Sequence, residues 1–115
     1  IQEAIYDTRE KYFGFDSYFP YVADHIITKP TFGSLDLQNL LFVIDDMTGM
    51  QSGEIAEITL MGLCTGICVL SNAILCKATM PNVPVRVVAD CCACVTPESH
   101  KTALEAMKLC QIEII

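Results

Sequence analysis

The segment Gly62-Leu63-Cys64-Thr65-Gly66-Ile67-Cys68 closes an apolar run, Ile58 to Leu63, and opens a stretch with helical spacing of apolar residues. That order places Cys68 in the first turn of a helix, just past the carboxyl end of a strand. Unpaired backbone N–H groups and the helix dipole favour an anion there, so they favour the thiolate, the nucleophilic form of cysteine. The same N–H groups can hold the oxyanion of an acyl transfer. One short segment can therefore supply a nucleophile and its oxyanion donors. Position alone still favours the plainer alternative, because most cysteines in such helices are small buried fillers.

The other residues capable of chemistry are scattered. Besides Cys64 and Cys68, cysteines stand at Cys76, Cys91, Cys92, Cys94 and Cys110. No signal peptide is visible at the start, so an odd number of thiols fits a reduced cytoplasmic protein better than a disulfide framework. Cys64 and Cys68 have C-x3-C spacing, which departs from the C-x-x-C of thiol redox proteins. Cys91, Cys92 and Cys94 lack the paired spacing of structural zinc. The two histidines, His25 and His100, form no cluster with acids. No metal and no cofactor is expected. Lys29 precedes Pro30 at the end of a short apolar run, and by itself reads as a solvated lysine.

The elements that must position these residues alternate. His25 to Thr28 reads as a short strand ended by Lys29-Pro30. Ser34 can cap a helix with Leu37, Leu40, Leu41 and Ile44 on one face, followed by a polar loop from Asp45 to Ser52. Ile58 to Leu63 is the clearest buried strand, and a helix follows from Gly66 to Thr79. Two prolines in Met80 to Pro84 force a turn, and Val85 to Ala89 is another strand. Thr96-Pro97-Glu98 is a strong helix start, and that helix should end near Cys110, with a last strand over Gln111 to Ile115. Strands joined by crossover helices are parallel and are usually covered on both faces, which gives an α/β fold of three layers, α/β/α, with a mostly parallel sheet. The chain reads as a single domain over 1–115, with 1–24 an irregular or helical lead-in.

Composition excludes several classes. Seven basic against fourteen acidic residues give a net charge of −7, without the clustered cations that a nucleic-acid partner requires. The longest apolar run, Leu40 to Ile44, falls far short of the roughly 18 residues that span a membrane. A hydrophobic content of 52% excludes a disordered chain.

Three stretches, in order, resemble the isochorismatase-like cysteine hydrolases, the superfamily that includes nicotinamidase. They are Ile27-Thr28-Lys29-Pro30-Thr31-Phe32-Gly33-Ser34, Thr59 to Val69, and Cys91-Cys92-Ala93-Cys94-Val95-Thr96-Pro97-Glu98-Ser99-His100. The resemblance covers the chain from about residue 25 to its end. It implies a Rossmann-like hydrolase fold and a triad of Asp, Lys and Cys. Cys68 would match the nucleophile, forming a thioester with a small amide such as nicotinamide, and Lys29 would match the lysine beside it. The family's cis peptide would here join Leu63 and Cys64, presenting the N–H groups of Cys64 and Cys68 to the oxyanion. A homo-oligomer is expected, and charge and run length speak against a nucleic-acid or membrane partner.

The family's general base comes from a strand before the lysine, and nothing before Lys29 matches it. Asp7, Asp16 and Asp24 stand in unsuitable contexts. Asp45 follows the apolar run Leu41 to Ile44, but that run comes after the lysine and continues a helical spacing, so Asp45 is the weaker candidate. The simplest account is that the first strand and its aspartate are absent from this chain. Gly66 stands where relatives commonly carry Asp, and Cys94 where Gly is common, which would strain a turn at positive φ. Tyr12, Phe13, Phe15, Tyr18 and Phe19 could line a ring pocket or pack a loop. Two rival readings remain: a non-catalytic fragment or degenerate member serving as an assembly partner, and a thiol redox protein using Cys64 and Cys68.

Overall fold

Apolar residues on alternate positions build the sheet of this computed structural model, which describes residues 26–47 and 55–115. Strand β1 (Ile58–Leu63), β2 (Val85–Ala93) and β3 (Glu113–Ile114) form a parallel sheet with β2 in the middle. On β2, Val85 and Val87 are fully buried and face the helices, while Arg86 points the other way and pairs with Glu57 and Glu113. Helix α1 (Leu35–Met47), α2 (Leu70–Thr79) and α3 (Pro97–Leu109) complete the order α1-β1-α2-β2-α3-β3.

The α/β class and the parallel sheet are those the alternation of elements implies. Of the two helical layers, the described residues supply one. Its core joins Leu37 and Leu41 of α1, Val69, Ala73 and Cys76 around α2, Ala103 and Met107 of α3, and Ile112. On β1, Met61 and Leu63 point away from this layer and are about half exposed.

Several boundaries differ from the sequence expectation, each for a local reason. The first strand, expected over His25 to Thr28, is a single β-bridge at Thr28, and His25 lies outside the described residues. Helix α1 runs on through Asp45–Met47, where a loop was expected, because no glycine or proline intervenes before Gly49. The second helix opens with one π-helical turn, Thr65–Val69, before α2 proper. Strand β2 extends past Ala89 to Ala93, and between Leu60 and Gly62 the register slips, so that Leu60 faces Val87 but Gly62 faces Cys92. Gly62 has φ of +133° at this slip, a conformation that only glycine adopts freely. The last strand is shorter than expected, Glu113–Ile114. The lead-in over 1–24, with its aromatic residues and Asp7, Asp16 and Asp24, lies outside the described residues.

Helix α3 is fixed at both ends. Thr96 accepts from the Ser99 N–H and donates to the Ser99 hydroxyl, with Pro97 at the first helical position. At the other end, the Gln111 N–H donates to Lys108 and the Ile112 N–H to Met107, both at 3.0 Å. This double bond pattern is a Schellman motif, and it packs Ile112 beside Met107 in the core. It also forces Gln111 to φ of 64°, a left-handed conformation that costs a residue bearing a Cβ. Gln111→Gly is therefore expected to raise stability by roughly 1 kcal/mol, read as a higher midpoint in urea denaturation at unchanged slope. A lower midpoint would contradict this account of the α3 end.

Candidate active site

Lys29 is brought to the sheet end by its neighbours in sequence. Pro30 holds Lys29 out of helical backbone, and the chain then turns at Thr31, whose hydroxyl donates to the Gly33 carbonyl at 2.6 Å. Ser34 caps α1, accepting from the Leu37 N–H at 3.1 Å. The outcome is a lysine only 3% exposed, contrary to the solvated lysine its sequence context suggests by itself. Its ammonium donates to the Thr31 carbonyl and to Cys68 Sγ, both at 3.1 Å.

Cys68 reaches this position from the π-helical turn at the end of β1. The Leu63–Cys64 peptide is cis. The Cys64 carbonyl accepts from the N–H groups of Ile67 and Val69, which ties the turn to the strand end. A buried ammonium and a half-buried thiol thus meet where a parallel sheet places its ligand sites, outside the carboxyl ends of the strands.

Asn72, one turn after Cys68, was not singled out in the sequence, where it reads as an ordinary polar residue inside a helix. It is buried, and it accepts from the Ser34 N–H at 2.9 Å. It also donates to the carbonyls of Phe32 and Cys68, at 3.2 and 2.9 Å. These bonds clamp the loop after Lys29 onto the helix that carries Cys68. Gly33 allows the approach, since a Cβ there would come 2.7 Å from Leu75 Cδ1. No sequence signal marks a contact across some forty residues; only a polar residue on an inward helix position hints at it.

The remaining candidates are placed as follows. Asp45 lies in the last turn of α1 rather than in the expected loop, and no described carboxylate is hydrogen-bonded to Cys68. Cys94 is not at positive φ, so the strain expected there does not arise. Its thiol is held below the ordinary range, first by the Ser99 hydroxyl and next by the Gly66 N–H; burial opposes this, and the Val95 N–H adds a smaller lowering. Burial instead pushes Cys76 up to about 11, and Cys92 is raised for the same reason. His100 bonds to Thr65, and among the described residues no three of His, Cys, Asp or Glu converge to hold a metal ion. A cleft of about 580 Å³ lies on the α3 side of the turn, lined by Gly66, Leu70, Cys94, Ser99 and Ala103 among others. Neither Cys68 nor Lys29 lines it, so this cleft is separate from the pair.

A half-open α/β sheet with a thiol on a helix start and a buried lysine against it defines a class of thiol-bearing α/β domain. The isochorismatase domain family matches residues 15–115, and the chain belongs to that family. Two solved structures share its fold. The pyrazinamidase of Pyrococcus horikoshii, in complex with zinc, superposes with a TM-score of 0.59 at 23% identity, over 77% of this chain and 45% of that one. An isochorismatase-like hydrolase from Alkaliphilus metalliredigens gives 0.55 at 24%, over 75% and 43%. The chain therefore spans less than half the length of either structure. No curated protein matches it. No helix among the described residues is long and apolar enough to cross a membrane.

Two outcomes test this geometry. Asn72→Leu strands the Ser34 N–H and two carbonyls, so it should cost about 1–3 kcal/mol in urea denaturation and slow alkylation of Cys68. Unchanged stability would show that the clamp is dispensable. In time-resolved alkylation at neutral pH, followed by peptide mass spectrometry, Cys94 should react several-fold faster than the more exposed Cys110. Cys76 should stay unmodified until the chain unfolds. Equal rates at Cys94 and Cys110 would contradict the acidified thiol.

Proposed function

We propose that this chain carries the nucleophile and cation of a cysteine hydrolase acting on a small amide such as nicotinamide. The observation that carries the reading is the 3.1 Å contact between the buried Lys29 ammonium and Cys68 Sγ. The contact sets a positive charge beside the sulfur that attacks. The thiolate sulfur attacks the amide carbonyl carbon, and the carbonyl electron pair moves to oxygen. The N–H groups of Cys64 and Cys68 receive that oxyanion. Collapse breaks the C–N bond, and the amine leaves with a proton. Water then cleaves the thioester to the carboxylic acid and restores the Cys68 thiol. Family membership supports hydrolysis, and the choice of an amide rests on the thiol, which suits acyl transfer.

The proton carried by the leaving amine, and the one taken from water, require an acid–base group. No described carboxylate is bonded to Cys68, which favours a second reading: a non-catalytic member that keeps the thiol and lysine but turns nothing over.

Incubation with nicotinamide separates the two readings. The hydrolase reading expects ammonia release and an acyl adduct on Cys68 in intact-protein mass spectrometry, both lost in Cys68→Ala. Lys29→Ala should reduce turnover by tenfold or more, on the order of one well-placed charge. No ammonia from nicotinamide or any simple amide, with rapid Lys29-dependent alkylation of Cys68, would establish the non-catalytic reading instead.

A further inference from the structure

Thr65 lies three positions before Cys68, and its side chain is completely buried at 0% exposure. Its Oγ1 sits 2.7 Å from His100 Nδ1, on the second residue after Glu98 in α3. Among the described residues this is the only side-chain hydrogen bond joining α3 to the π-helical turn. His100 is itself anchored: its N–H donates to the Thr96 carbonyl at 3.0 Å, within the capped first turn. The imidazole is therefore presented to Thr65 from a rigid helix start rather than from a loop.

The bond can run in either direction, according to which ring nitrogen carries the proton, since a hydroxyl both donates and accepts. Either way, a hydroxyl buried at that point without the imidazole would lose its side-chain partner. The turn would then have to shift to find another. Cys68 shares that turn, and the Cys68 thiol must meet the Lys29 ammonium to within a hydrogen-bond length. Small displacements of a nucleophile reduce reactivity out of proportion to their size.

We propose that His100 is a positioning residue for Cys68: its Nδ1 is hydrogen-bonded to the Thr65 hydroxyl and so holds the turn that sets the thiol against Lys29. This rests on the reading of Cys68 as the nucleophile, but its test does not require turnover. It also gives His100 a task unrelated to metal binding.

The experiment measures the rate of iodoacetamide alkylation at Cys68 at neutral pH in the full chain, with the rate at Cys110 as internal reference. His100→Ala and Thr65→Val should each slow Cys68 by roughly fivefold, the worth of one hydrogen bond, and leave Cys110 unchanged. The double variant should be no slower than either single one, because both remove the same bond. His100→Asn places an amide oxygen near the position of Nδ1 and should restore the rate to within about twofold. A rate in His100→Asn as low as in His100→Ala would overturn the proposal, since loss of packing rather than of a hydrogen bond would then be responsible. So would unchanged Cys68 reactivity in His100→Ala. Lys29→Ala, run in parallel, tests the nucleophile reading separately: if it fails to slow Cys68, that reading falls, whatever His100 does.

Discussion

An ammonium group taken out of water costs several kcal/mol unless acceptors replace its hydration, and Lys29 is almost wholly buried. Two acceptors meet it, the Thr31 carbonyl and the Cys68 sulfur. The first is local and neutral. The second lies thirty-nine residues away in sequence, on the π-helical turn. The burial of Lys29 and the position of Cys68 are therefore one condition rather than two. The surrounding structure serves it. Pro30 and the Thr31–Gly33 turn aim the lysine inward, Asn72 clamps that turn to the helix, and the Cys64 carbonyl anchors the turn carrying the thiol.

Gly66 and Cys94 are linked by packing. A Cβ on Gly66 would come 3.3 Å from Ala103 Cβ and 3.5 Å from Cys94 Sγ. The first distance is tight, so a side chain at Gly66 would need Ala103 to give by a few tenths of an ångström, while the second is an ordinary van der Waals contact. Cys94 in turn sits where the Gly66 N–H and the Ser99 hydroxyl can act on its sulfur. Helix α3 thus packs closely against the turn at Gly66, and His100 meets Thr65 across the same contact. In the fold, Gly66 and Cys94 both belong to the close contact between the α3 start and the π-helical turn.

Much of this was legible in the sequence, and the rest was hidden for identifiable reasons. Strand β1 and helix α3 were clear because apolar runs and a Thr-Pro helix start act locally. Lys29 and Cys68 were paired only by resemblance, since no periodicity relates a lysine at a strand end to a cysteine on another helix. Asn72 was missed because its three bonds reach the loop before α1 and the helix turn behind it. His100 was considered only as a metal ligand, yet its partner is a buried threonine. The extra length of β2 was hidden by Asp90 and the cysteines after it, which carry no strand signal. Gln111 gave no hint of positive φ because a glycine is the usual mark of that position.

Seven thiols share one small fold, so reactivity has to be decided by environment. Exposure alone would favour Cys91 and Cys110, which lie at the surface. Burial silences Cys76 and raises Cys92 by denying the thiolate its hydration. Cys94 is acidified by hydrogen-bond donors, without any cation beside it. Among the described residues, Cys68 alone has a lysine ammonium at hydrogen-bond distance. Donors and a cation differ in what they do for a nucleophile. Neutral donors stabilise the thiolate by drawing on the same lone pairs that must attack. A cation acts through the field as well, so part of its stabilisation persists as the sulfur turns toward a carbonyl carbon and the charge passes to oxygen. That distinction, more than acidity, sets Cys68 apart from Cys94.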